Sequence, residues 1–287
     1  MARAPFVTAL RAAAQRHDSL LCVGLDPDPA RLPGDWRGDA RRLFDFCAAI
    51  VDATHDLACA FKPQIAYFAA QRAEDQLERL VAHIRAVAPA VPVILDAKRG
   101  DIGATAEQYA REAFERFDAD AVTLSPYMGF DSIEPFLSWQ GRGAILLCRT
   151  SNPGGDELQA QPLAGDDGSG HEHGQERVYE RVARLAAGPW NRNGQLGLVV
   201  GATYPAELAR VRELAPTLPL LVPGVGAQGG DAAAVVRAGW RPDAPLVVNS
   251  SRALLYASGG ANYAAAARAA ARATRDALNG ARDAARA

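Results

Sequence analysis

The chain lacks a charge surplus, a long apolar run and a cysteine framework, and each absence removes a class of protein. A net charge of −2 over 287 residues leaves no basic footprint for nucleic acid and no charged face for a membrane surface. No apolar run approaches the ~18 residues that span a bilayer. The four cysteines, Cys22, Cys47, Cys59 and Cys148, are far apart and form no C-x-x-C. They suggest neither zinc nor disulfides, and fit reduced thiols buried in a cytoplasmic protein. The opening MARAPFVTALRAAAQRHD has the arginines of a transit peptide but no continuous apolar core. It reads as a short amphipathic helix ahead of the first strand.

What is present is alternation. Mostly apolar, β-branched runs stand at 20–26, 58–64, 91–98, 121–126, 143–151, 197–203, 219–226 and 245–251, as strands buried on both faces should. Between the second and third, Leu77, Leu80, Val81, Ile84 and Val87 follow a 3.6-residue period. Eight strand–helix units predict an α/β fold, a (β/α)₈ TIM barrel forming one domain over 1–287, with its active site at the strands' C-terminal ends. A doubly wound open sheet usually needs fewer strands for this length. About 45 residues separate strands five and six. The Gly- and Asp-rich stretch 152–174 is expected as a mobile loop insert on the rim. Its His171 and His173 read as solvated, so no metal site is expected. Residues 277–287 are expected to be a frayed C-terminal tail.

Chemistry concentrates in Asp96-Ala97-Lys98-Arg99-Gly100-Asp101-Ile102-Gly103-Ala104-Thr105. On a strand, residues two apart face the same way, so Asp96 and Lys98 should both enter the barrel mouth. Gly100 permits the turn to Asp101. Lys62, in Phe61-Lys62-Pro63-Gln64 at the end of the preceding strand, reaches the same place. An ion-pair network tying strand ends together is the bland alternative. Four charges gathered at the functional end of a barrel favour catalysis over that reading, because buried charge seldom improves on apolar packing.

The pattern D-x-K-x-x-D-I-x-x-T, a lysine one strand earlier and a late P-G-V-G-A-Q-G-G resemble the orotidine 5′-phosphate decarboxylase family. DAKRGDIGATA and the long insert are most similar to its longer bacterial branch. The resemblance runs from Leu25-Asp26 to Arg252. It implies a lyase that converts orotidine 5′-monophosphate to UMP and carbon dioxide without cofactor, in pyrimidine biosynthesis. It further implies Lys98 as proton donor to C6, Asp96 against the substrate carboxylate, and Lys62 holding the charges and the ribose. Asp101, Ile102 and Thr105 would reach a neighbouring subunit's site in a homodimer. Asp26 would bind a ribose hydroxyl, Ser125 and Pro126 would meet the pyrimidine edge, and Gln228, Gly229, Ser251 and Arg252 would take the phosphate. The family has glycine where this chain has Ser251. The sequence assigns no role to Thr150-Ser151-Asn152.

Physical chemistry points the same way. Loss of carbon dioxide from C6 leaves an sp² carbanion with no π-system to accept the charge. A fixed cation must stabilise it, and a lysine between carboxylates supplies one, acting as an acid and not as an amine nucleophile. Loops after strands seven and eight form the usual phosphate site of such a barrel. Gly224, Gly226 and Gly229 also spell G-x-G-x-x-G. A dinucleotide site would want an acid ending the next strand, and Val247-Val248-Asn249-Ser250 has none. Two other readings remain: a Mg²⁺-dependent 3-keto sugar-phosphate decarboxylase or hexulose-phosphate synthase, and a non-catalytic nucleotide-phosphate binder.

Overall fold

Apolar runs become strands wherever helices can cover them on one side and a barrel interior on the other. A computed structural model describes residues 4–164, 176–225 and 231–286. Its strands are β1 (Leu21–Leu25), β2 (Ala60–Pro63), β3 (Ile94–Arg99), β4 (Ala121–Leu124), β5 (Gly143–Arg149), β6 (Leu196–Val200), β7 (Leu220–Pro223) and β8 (Leu246–Ser250). Each falls inside one of the eight expected runs, except that β3 and β6 each overrun theirs by one residue. They form one parallel sheet in the order β2-β1-β8-β7-β6-β5-β4-β3. Parallel bridges Phe61↔Val93 and Gln64↔Asp96 join its two ends. The sheet therefore closes into a barrel, and the second bridge sits at the mouth beside Asp96.

Side chains alternate as the pleat requires. Leu21, Val23 and Leu25 pack into the shell between strands and helices. Cys22 joins Ala60, Ile94, Ala121, Ile145, Leu221 and Val247 in the filled interior. The helix Phe6–Arg16 adds Phe6 and Leu10 to that interior cluster. A Cβ at Gly143 would run into the Phe6 ring, so glycine there lets the helix seat against the barrel. Within the helix Glu74–Val87, Leu77, Leu80, Val81 and Ile84 are buried, whereas Val87 at its end is exposed. All four cysteines are buried and free.

One expectation changes. The C-terminal segment does not fray: the helix Tyr263–Arg286 runs through it. Leu278 is buried, Arg282 pairs with Asp18 at 2.7 Å, and the Asn279 amide donates to the Asp18 carbonyl at 2.7 Å. The described part of the insert is also built. Pro153–Glu157 forms a 3₁₀ turn, Pro162 bridges Arg177, and the next helix starts at Val178. The buried guanidinium of Arg149 pairs with Asp156, approaches Glu207 at 3.5 Å and lies 3.9 Å from the Tyr204 ring centre. His171 and His173 lie outside the described residues.

Candidate active site

The C-terminal ends of the strands surround a cleft of about 730 Å³. Its charged side is built by β2 and β3. The Lys62 ammonium donates to Asp96 Oδ2 at 2.6 Å, and the Lys98 ammonium donates to Asp96 Oδ1 at 2.6 Å. Lys62 and Asp96 are buried, while the Lys98 side chain is 47% exposed. Burial alone would push the Asp96 carboxyl up, but the two ammonium groups outweigh it and hold it well below the usual carboxylate range. Burial likewise disfavours the Lys62 charge, and the charges of Asp96 and then Asp26 reverse that, raising it above the ordinary lysine range.

The pairing of Asp96 with Lys98 was expected, but simple alternation is not how it arises. The β3–β4 register shifts between Leu95 and Arg99, and Lys98 adopts a left-handed φ of 48°. For a residue with a Cβ that conformation costs about 1–2 kcal/mol. Thr123, which the sequence reading missed, meets the distortion. Its Oγ1 accepts from the amides of Ala97 and Lys98, both at 3.0 Å, and donates to Asp96 Oδ1 at 2.9 Å. Beyond the bulge, Arg99 makes a bidentate pair with Glu112, both contacts at 2.9 Å. The only hint in the sequence was a threonine at an inward position of AVTLSP.

Within its own chain Asp101 does not join the other three charges. The carboxylate accepts from the Ile102 amide at 2.8 Å, and Ile102 and Thr105 are exposed on the rim. One chain therefore brings two ammonium groups to Asp96 alone, with Asp26 nearby. Ser125 and Pro126 do not line the cleft either. β4 ends at Leu124, and the Ser125 amide donates to the Arg99 carbonyl at 2.7 Å. A Cβ at Gly100 would lie 3.2 Å from Ser125 Cβ, so the serine backs the turn instead. On the wall formed by the loop after β5 stand Thr150, Ser151 and Asn152. The Thr150 amide donates to Gln159 Oε1 at 2.8 Å, and Gly201 leaves room for Ser151, since a Cβ there would come within 2.8 Å of it. Glycine in GLVVGAT was the available signal.

The remaining walls are of two kinds. Leu147, Val199, Pro223 and Val225 give an apolar side. Beyond Pro223, at the ends of β8 and β1, Ser251 Oγ donates to Asp26 Oδ2 at 2.6 Å, and Gly24 makes this possible because a Cβ would lie 2.7 Å from Ser251 Cβ. Asp26 Oδ1 and Asn249 Oδ1 are buried without a hydrogen-bond partner among the described residues. Arg252 opens the short helix Arg252–Leu255, is exposed and lines the cleft. Gln228 and Gly229 lie outside the described residues. Among the described residues no cluster of three or more potential metal ligands occurs, and no helix is long and apolar enough to cross a membrane.

Fold and site together define a (β/α)₈ barrel enzyme with a lysine–carboxylate array facing an apolar wall. The chain belongs to the orotidine 5′-phosphate decarboxylase / HUMPS family, which residues 19–273 match. It is 74% identical over 277 residues to an orotidine 5′-phosphate decarboxylase of Paracidovorax citrulli, covering 96% of this chain and 99% of that one. It is 70% identical over 277 residues to the protein of the same name from Polaromonas naphthalenivorans, covering 96% of each. The solved OMP decarboxylase of Leishmania donovani superposes with a TM-score of 0.81 at 41% identity, covering 97% of this chain and 99% of that one.

Proposed function

We propose that the chain decarboxylates orotidine 5′-monophosphate to UMP and carbon dioxide, the step that supplies UMP in pyrimidine biosynthesis. The observation that carries this reading is the Lys98 ammonium held against Asp96 at 2.6 Å, with Leu147, Val199 and Pro223 in the same cleft. The C6–carboxylate bond breaks, its electron pair stays on C6, and the Lys98 ammonium stabilises that pair and then protonates it. Neutral carbon dioxide leaves against apolar side chains. A cation fixed before the reaction stabilises the developing charge without reorganising at that moment. Asp96 beside the substrate carboxylate adds ground-state repulsion that is relieved as the carboxylate becomes neutral.

Around that centre, Lys62 and Asp26 take the ribose, and Arg252, Ser251, Gln228 and Gly229 take the phosphate. Ser151, on the cleft wall, replaces Ser125 as the hydroxyl for the pyrimidine edge. The reaction uses no metal or organic cofactor, and a cytoplasmic location accords with four buried free thiols. Purified protein incubated with orotidine 5′-monophosphate in EDTA should release UMP and carbon dioxide in equal amounts. Activity lost to the chelator and restored by Mg²⁺ would favour the Mg²⁺-dependent sugar-phosphate reading. UMP binding without turnover would favour a binder.

The same reading makes the enzyme a homodimer with shared sites. Ile102 and Thr105 stand exposed and Asp101 half-buried on the rim of a site whose own carboxylates stop at Asp96 and Asp26, and a two-fold partner would bring the missing Asp101. Lys98→Ala and Asp101→Ala homodimers should each be nearly inactive. Mixed with proven subunit exchange, about half of the dimers become hybrids, each with one intact site. Activity should then recover to roughly a quarter of wild type per subunit. Exchange without recovery would refute shared sites.

A further inference from the structure

We propose that Thr123 is a positioning residue for this decarboxylation, holding both the Asp96 carboxylate and the backbone that carries Lys98. The inference rests on the function proposed above and adds a residue to it.

The hydroxyl of threonine has one proton and two acceptor lone pairs. Two amides, those of Ala97 and Lys98, occupy the acceptor side at 3.0 Å each. The proton is thereby directed to Asp96 Oδ1 at 2.9 Å. Thr123 is 1% exposed, so water does not substitute for it. The register shift of β3 turns both amides out of the regular ladder with β4, and without Thr123 they would be left unpaired in a half-buried place. Amides unpaired where water has little access are costly, so the bulge and the left-handed Lys98 persist because this hydroxyl satisfies them. One side chain thus sets where the Lys98 chain departs from the barrel and where its anionic partner sits. The Lys62–Asp96 pair, in contrast, spans two strands directly and does not need it.

The consequence falls on the chemical step. A shift of about 1 Å in a catalytic group can cost on the order of 100-fold in rate. Thr123→Val keeps the shape and removes all three hydrogen bonds, while Thr123→Ser keeps them. With orotidine 5′-monophosphate as substrate, Thr123→Val should lower kcat by roughly 100-fold. Its UMP affinity should stay within about threefold of wild type, because the residue does not line the cleft. Thr123→Ser should restore kcat to within about tenfold of wild type. If Thr123→Val does not fold, Thr123→Ala is read in the same way, with folding checked by circular dichroism. A folded Val or Ala variant that keeps kcat within twofold of wild type overturns the inference. A Ser variant as slow as Val overturns it too, since bulk and not the hydroxyl would then matter. Absence of turnover in the wild type would instead refute the function itself, so the two failures are distinct.

Discussion

The two sides of the cleft are finished to different degrees. On the β2–β4 side, both oxygens of Asp96 are engaged, by Lys62, Lys98 and Thr123. On the β8–β1 side, Asp26 Oδ1 and Asn249 Oδ1 lack partners among the described residues, and Arg252 is exposed. A site that must stabilise charge in a transition state gains from groups fixed in advance. A site that must hold a substrate can leave groups for the substrate to complete. The contrast implies that substitutions on the first side act on kcat and those on the second on KM.

The largest effect should come from Lys98→Ala. Loss of a single electrostatic stabiliser costs about 10²–10³-fold in kcat, and a full ammonium should cost at least that. UMP affinity, measured by calorimetry, should change little. A comparable loss of affinity would blur the contrast at its clearest point. Arg252→Ala should do the reverse, raising KM by roughly 10- to 150-fold through a lost charge-assisted phosphate contact worth about 1.5–3 kcal/mol. Orotidine, which has no phosphate, should be nearly indifferent to the change. An equal loss with orotidine would take Arg252 away from the phosphate.

Stability should carry the signature of the charged side as well. The folded Asp96 carboxyl is depressed relative to about 3.9 in an unfolded chain. Its contribution is therefore present above that value and is lost as pH falls through the folded one. Lys62 is raised, so its contribution is present below about 10.4 and is lost only as pH rises through its folded value. Between about pH 5 and 9 the pair should contribute a constant amount. Below about pH 4 the wild type should lose stability more steeply than Asp96→Asn, as chemical denaturation at a series of pH values would reveal. Parallel acid limbs would mean that the pair is not set as described.

The smallest expected effect separates two serines. Ser151→Ala should raise KM by roughly 2- to 12-fold, the worth of a neutral hydrogen bond at about 0.5–1.5 kcal/mol. Ser125→Ala should stay within about twofold, as surface-like changes do. The opposite ranking would return the pyrimidine edge to Ser125.

Much of this was legible in the chain. The eight strands stood out because a strand buried on both faces has no choice but a continuous apolar run, as in Leu196–Val200. Lys62, Asp96 and Lys98 stood out because charges at strand ends need a reason. What stayed hidden depends on contacts between distant segments. Nothing local in AVTLSP says that Thr123 meets a bulge in β3, or that β4 stops before Ser125. Nothing in NGARDAARA says that Arg282 will find Asp18 and hold the last helix together. The helix-forming alanines were visible there, but the ion pair that docks them spans most of the chain.

Carbanion stabilisation at C6 by a lysine fixed in advance can be tested without the substrate carboxylate. UMP bound in D₂O should exchange its C6 hydrogen for deuterium in the presence of the wild-type enzyme, followed by proton NMR. Lys98→Ala should bind UMP and exchange at least about 100-fold more slowly. Exchange by Lys98→Ala at the wild-type rate, with UMP demonstrably bound, would show that Lys98 does not stabilise the C6 carbanion.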